Sequence, residues 1–335
     1  MTPPPPAHPW IKFYEPGIPE NVEIPAARIP DLVQKSVERV GKRPAIIFYG
    51  ARWSYLQLWA ESGRFAAALR REGLKAGDRI ALYLPNVPEY PIAYLGALRA
   101  GLTVVQVNPL FLGDDLATLL EYSQPSAIVT LEILYPNLTK IQNRFPTPLT
   151  IVGQLREFYP GFTRLFVNRT LRKRGMSIEV PTGPHLRSWG SVMQSPGQVP
   201  GLTTDPSQEV AVLQYTGGTT GIPKAAMLSH RNLIANAMQC RAWFGNRSTG
   251  QDVVLASVPM FHIYGLTVAL NYPLFEGATI VLQTRPDVAG ILKLVNRYHP
   301  TQFPGVPALY QGFNQHPKVG RYRLRSIRVC VSGSA

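Results

Sequence analysis

Apolar positions along the chain recur with two periods. From Ile29 to Val40 they fall at 29, 32, 33, 37 and 40, the spacing of one helix face. Ala45 to Tyr49 is a short apolar run that predicts a strand. Ser54 then caps a helix, and Gln57 three residues on forms a capping box with it. The apolar face of that helix is Tyr55, Leu58, Trp59, Phe65, Ala66 and Leu69, and Gly73 ends it. Further strands are expected over Arg79 to Leu84, Thr103 to Val107 and Ala127 to Leu131, with helices over Pro88 to Ala100 and Leu112 to Tyr122 between them. Strands alternating with helices of this length predict βαβ units and a largely parallel sheet.

Residues 153 to 205 break the pattern, and a second α/β unit begins near Val210. Val210 to Tyr215 reads as a buried strand. Ser229 caps a helix running to about Ala242. Strands follow over Val253 to Ser257, Ala278 to Leu282 and Gln302-Phe303, with helices over Asp287 to Tyr298 and Pro307 to Gln315. Arg321 to Arg328 alternates basic and other residues, as an edge strand would. The last strand reaches Val331. The expected organisation is an extended, proline-rich arm over 1–28, a first α/β subdomain over 29–205 with an excursion at 153–205, and a second α/β subdomain over 206–335.

Between the strand ending at Tyr215 and the helix capped by Ser229 lies a stretch with different chemistry. Thr216, Gly217, Gly218, Thr219, Thr220 and Gly221 carry no side chain larger than threonine. Glycines let the backbone approach a ligand closely. Successive N–H groups in such a turn form an anion-binding concavity. Three hydroxyls add donors, and Lys224 adds a full positive charge after the stiff Pro223. This is the chemistry of a polyphosphate cradle. It is not the G-x-x-x-x-G-K-[ST] loop, because Pro223 precedes Lys224 and Ala225 follows it.

Tyr215 to Lys224 resembles the signature loop of the adenylate-forming enzymes, a superfamily of acyl-CoA synthetases, luciferases and peptide-synthetase adenylation domains. Ten contiguous positions agree in type and order. Gly217-Gly218, the tail Met227 to Asn232 and the preceding Leu213-Gln214 look most like long-chain fatty-acid–CoA ligases. Pro259 to Gly265, with His262, resembles a second family motif whose histidine lies near the acyl carboxylate and the nucleotide. Gly305-Val306-Pro307 resembles the segment lining the acyl pocket, and Ser332 to Ala335 the small-residue turn beside adenine. Leu84-Pro85-Asn86, Gly96-Ala97-Leu98 and Asn108-Pro109-Leu110 also match, and read as turns and packing.

The resemblance implies a fold of two layered α/β subdomains with largely parallel sheets, as in the large N-terminal domain of acyl-CoA synthetases, with the C-terminal part of that domain missing. It implies activation of a fatty acid by ATP and Mg²⁺ to acyl-AMP, then transfer to CoA. In that scheme Thr216, Gly217, Gly218, Thr219, Thr220, Gly221 and Lys224 hold the phosphates, with Thr216 also at Mg²⁺. Gly333, Ser334 and Ala335 flank adenine. Tyr264, Gly305 and Val306 line the acyl site, and His262 stands at the reacting carboxylate. The family's Tyr-Gly-x-Thr-Glu and Thr-Gly-Asp segments and its small C-terminal domain have no counterpart in the 335 residues. The expectation is therefore a fragment that does not make acyl-CoA by itself. Other acyl- or aryl-AMP ligases, or a non-catalytic nucleotide- or acyl-binding module, are the alternatives.

Lys plus Arg number 34 against 20 Asp plus Glu, a net charge of +14 that suits anionic partners. No nucleic-acid motif accompanies it, so none is expected as a partner. Gly161 to Arg174 sets Phe162, Leu165, Phe166 and Leu171 beside Arg164, Arg169, Arg172, Lys173 and Arg174. That pattern predicts either a basic amphipathic helix on an anionic membrane or a solvated surface excursion. Val253 to Phe275 lacks charge but is interrupted by Pro259, His262, Asn271 and Pro273, and reads as buried core. Cys240 and Cys330 are too few for a disulfide framework and read as buried thiols. The first nine residues lack the apolar core of a signal peptide. A cytoplasmic protein, peripheral on the inner face of the membrane and with a homodimer left open, is the resulting expectation.

Overall fold

Alternating apolar runs and amphipathic helices build two sheets. The computed structural model describes residues 8–146, 148–159, 169, 183–197, 202, 205, 206, 208–216, 224–245, 251–284 and 287–333. The strands in chain order are β1 Pro44–Phe48, β2 Ala51–Ser54, β3 Arg79–Tyr83, β4 Thr103–Gln106, β5 Ala127–Leu131, β6 Leu149–Gly153 and β7 Leu186–Ser188, then β8 Val210–Thr216, β9 Lys224–Ser229, β10 Val253–Ala256, β11 Thr279–Leu282, β12 Gln302–Gly305 and β13 Val329–Ser332. A seven-stranded sheet has the order β7-β6-β5-β3-β4-β8-β9, and a six-stranded sheet β13-β12-β10-β11-β1-β2. Pairing is parallel throughout except at β8–β9 and β1–β2.

Side-chain alternation along each strand explains the layering. Ile80, Leu82 and Val129 of the first sheet share a core with Ile46, Ile280 and Leu282 of the second. The intervening residues Ala81, Tyr83 and Ile128 face an outer cluster with the helix Gly113–Ser123. On the far side, Ile47, Leu255 and Val281 face Ile291, Leu292 and Val295 of the helix Val288–Tyr298. The layers therefore run helix, sheet, central helices, sheet, helix. In the centre, Glu89 to Leu98 of the helix Glu89–Arg99 are buried on every side, as expected for a helix enclosed by other layers. It crosses the helix Tyr55–Arg71 at Gly96, where an added Cβ would lie 2.8 Å from both Phe65 and the Ser62 carbonyl.

The caps read from sequence form. The Gln57 N–H donates to Ser54 Oγ at 3.1 Å, and the Ser54 N–H to Gln57 Oε1 at 2.8 Å. Ser229 makes the same box with Asn232. Arg321 to Arg328 is not a strand. It forms two 3₁₀ turns, Val319–Arg321 and Leu324–Ser326. The half-buried Val319, Tyr322, Leu324 and Ile327 pack against the outer core of the second sheet. Apolar residues three apart suit the 3₁₀ repeat, and that packing overrides the two-residue alternation of charge. Cys330 is exposed on β13 and Cys240 only half-buried, so neither is a fully buried thiol.

Strand pairing interleaves the two halves of the sequence. Val212 of β8 pairs with Val104 of β4, and Ile46 of β1 with Ile280 of β11. The point 205/206 is therefore not a boundary between sheets. The arm lies against the helix His230–Phe244, where Tyr14 packs edge-on to Trp243 at 5.2 Å, and its last residue Arg28 pairs at 2.6 Å with Glu209, just before β8. Among the described residues no helix is long and apolar enough to cross a membrane. The basic stretch 161–174 lies outside the described residues, apart from the exposed Arg169.

Candidate functional site

Each sheet has a point where its strand order reverses. β10 lies between β11, which follows it, and β12, to which the chain then returns on the other side. β3 likewise lies between β4 and β5. In open α/β sheets, ligands bind outside the carboxyl ends of the strands at such switch points.

The carboxyl ends of β10, β12 and β13 carry one group of the residues singled out from sequence. After β10 the chain turns so that the His262 N–H donates to the Pro259 carbonyl at 3.2 Å. Gly265 packs against the same carbonyl so closely that an added Cβ would lie 2.0 Å from it, so the turn requires glycine there. His262 is exposed and caps the short helix Ile263–Leu266, its Nδ1 accepting the Tyr264 N–H at 3.3 Å. The Tyr264 hydroxyl reaches Val331 O at 2.7 Å and Gly305 O at 3.1 Å, tying β12 to β13. Burial pushes its pKa up to about 12, so it stays a neutral donor. The Gly333 N–H donates to Gly305 O at 3.3 Å, and a Cβ on Gly333 would meet the Tyr264 ring at 3.1 Å. Val306 is half-buried and caps the helix Pro307–Gln315. His262, Tyr264, Gly305, Val306 and Gly333 are thus brought to one end of the second sheet. Ser334 and Ala335 lie outside the described residues.

The flanks of the predicted phosphate cradle belong to the other sheet. Thr216 ends β8 and Lys224 opens β9, and the two face each other across the antiparallel pair. Lys224 is exposed. Gly217, Gly218, Thr219, Thr220 and Gly221 lie outside the described residues. Among the described residues no three or more His, Cys, Asp or Glu side chains gather as a metal site.

Asn86 and Tyr90 join the two switch points, although by sequence Asn86 reads only as part of a turn. Asn86 follows β3 and is 4% exposed. Its Nδ2 donates to the carbonyls of Ala256 at 3.0 Å and Val258 at 2.9 Å, and its Oδ1 accepts the Met260 N–H at 2.9 Å. The fully buried Tyr90 donates to Met260 O at 2.9 Å and also meets Gln106 Oε1 at the end of β4. The only sequence signal was an asparagine just past a strand end.

Residues 33–335 match the family model of the AMP-binding enzymes, and the chain belongs to that family. A long-chain-fatty-acid–CoA ligase of Bacillus subtilis is 35% identical over 331 residues, covering 98% of this chain and 59% of that protein. A long-chain-fatty-acid–CoA ligase of Escherichia coli O6:H1 is 32% identical, over 97% of this chain and 59% of that protein. The chain thus spans about 59% of the length of these relatives. Among solved structures, the anthranilate CoA ligase AuaEII in complex with anthranoyl-AMP superposes with a TM-score of 0.79 at 19% identity, over 93% of this chain and 56% of that one. It shares the fold of two largely parallel sheets.

Proposed function

We propose that this chain carries the ATP- and acyl-binding part of a fatty-acid–CoA ligase that works through an acyl adenylate. A carboxylate is a poor electrophile, because its leaving group would be oxide. In this reading a fatty-acid carboxylate oxygen attacks the α-phosphorus of ATP, the bond to pyrophosphate breaks, and acyl-AMP results. The CoA thiol then gives up its proton and attacks the acyl carbonyl, and AMP leaves with the carboxylate oxygen.

Both steps place negative charge on phosphate oxygens, which preorganised donors stabilise. Thr216 to Gly221 and Lys224 hold the β and γ phosphates in this reading. Thr216 would hold Mg²⁺, which would supply further positive charge there. His262 stands at the fatty-acid carboxylate; it is not a general base, because the attacking carboxylate is already ionised. Tyr264, Gly305 and Val306 line the acyl site, and Gly333, Ser334 and Ala335 flank adenine. The basic stretch 161–174 belongs to the same reading as a peripheral contact with an anionic membrane.

One observation supports this most. The His262 turn, Gly305 and Gly333 come together at the carboxyl ends of adjacent parallel strands, beside a switch point. The acid class is taken from the names of the relatives. Pyrophosphate release from ATP by the full-length protein, against fatty, aryl and amino acids, tests it. Fatty acids should drive release, and Lys224→Ala should slow it on the order of 10²-fold, the cost of one charge-stabilising donor, without lowering the melting temperature. Preference for an aryl or amino acid, or an unchanged rate in Lys224→Ala, would contradict the reading.

A further inference from the structure

The turn between β10 and His262 is held chiefly from outside its own sheet. Asn86 spends all three of its amide hydrogen bonds on that turn, two to carbonyls and one from an N–H, at 2.9–3.0 Å. Tyr90, one turn further along the chain, adds a fourth bond at Met260 O. Both side chains are buried, and Tyr90 is set in turn by Gln106. The loop after β3 and the end of β4 thus grip the segment that issues from β10.

We propose that Asn86 and Tyr90 are positioning residues for the candidate site: they fix the Ser257–His262 turn, and through it where His262 and Tyr264 stand. A buried polar group left unpaired is costly, because it has given up water without gaining a partner. Without Asn86 the Ala256 carbonyl would keep only the Gln283 N–H at 3.3 Å, the Val258 carbonyl and the Met260 N–H would lose the partners they have among the described residues, and the turn would shift to find water. The Tyr264 hydroxyl is tied to β12 and β13, so a shifted turn also strains the contact with Gly305. The proposal rests on the reading of His262 as a site residue.

Two variants in the full-length protein test it. Tyr90→Phe keeps the buried ring and removes only the hydroxyl, so it should fold, whereas Asn86→Ala removes three bonds. Hydrogen exchange is read over 256–264, with 80–84 and 127–131 as controls, and the KM values for fatty acid and ATP are measured alongside. The brace predicts exchange over 256–264 faster by about tenfold in Tyr90→Phe, the scale of one lost hydrogen bond, and more in Asn86→Ala, with the control strands unchanged. It also predicts a raised KM for the acid at an unchanged KM for ATP. Unchanged exchange over 256–264, or exchange raised equally in the control strands, would overturn it. If the parent releases no pyrophosphate with any acid, the function reading fails, and the exchange pattern still decides the brace.

Discussion

At His230 burial decides the charge. Its Nδ1 accepts the Ile29 N–H at 3.2 Å, and Nε2 lies 3.6 Å from Glu209, which Arg28 already pairs. Desolvation outweighs the carboxylate and lowers the pKa from 6.5 to about 4. The unfolded chain therefore binds a proton below pH 6.5 that the folded chain takes up only near pH 4. The contribution is full above pH 6.5 and is lost as pH falls through this window, at about 1.4 kcal/mol per unit. His230→Asn keeps an acceptor for Ile29 and removes the titration. Urea denaturation from pH 7 to 4 should show a steeper loss of stability in the parent than in the variant; parallel curves would contradict this. Sequence marked Ser229 as a cap and placed His230 in a motif tail. It could not show that His230 meets Ile29 and Glu209, because those contacts are set by tertiary packing. Asn86 was hidden for the same reason, its partners lying in another sheet.

Individual helices and strands were legible where a local signal matched the tertiary demand. The Ser54 box and the Ser229 cap are written in nearby residues and form as read, Ser229 also closing a box with Asn232. Short strands such as β2 and β7 carry no apolar run of their own and exist because a neighbouring edge accepts them. The turns at 319–326 were misread because charge alternation is a weaker constraint than where Tyr322, Leu324 and Ile327 pack. Gly96, read as packing, is the clearest case of an element contact visible in sequence. A side chain there would meet the Ser62 backbone, which cannot rotate away as a flexible side chain can. Gly96→Val should destabilise by about 1–3 kcal/mol through overpacking, lowering the melting temperature by several degrees. An unchanged melting temperature would show that the two helices separate at little cost.

Across the whole molecule, the class of architecture was legible and its topology was not. Alternating strands and helices imply parallel sheets, but nothing local says that β8 will join β4 or that β1 will join β11. That interleaving brings the carboxyl ends of β3 and β10 together, with Asn86 between them. It also sets Thr216 and Lys224 on one sheet and the His262 turn on the other. In the reaction we propose, a carboxylate oxygen attacks the α-phosphorus of ATP and leaves with AMP. Full-length protein supplied with ATP, Mg²⁺, CoA and a fatty acid labelled with ¹⁸O in its carboxyl group tests this directly. One ¹⁸O atom should appear in the phosphate of AMP for each acyl-CoA formed. Label in pyrophosphate or inorganic phosphate, or ADP in place of AMP, would contradict it.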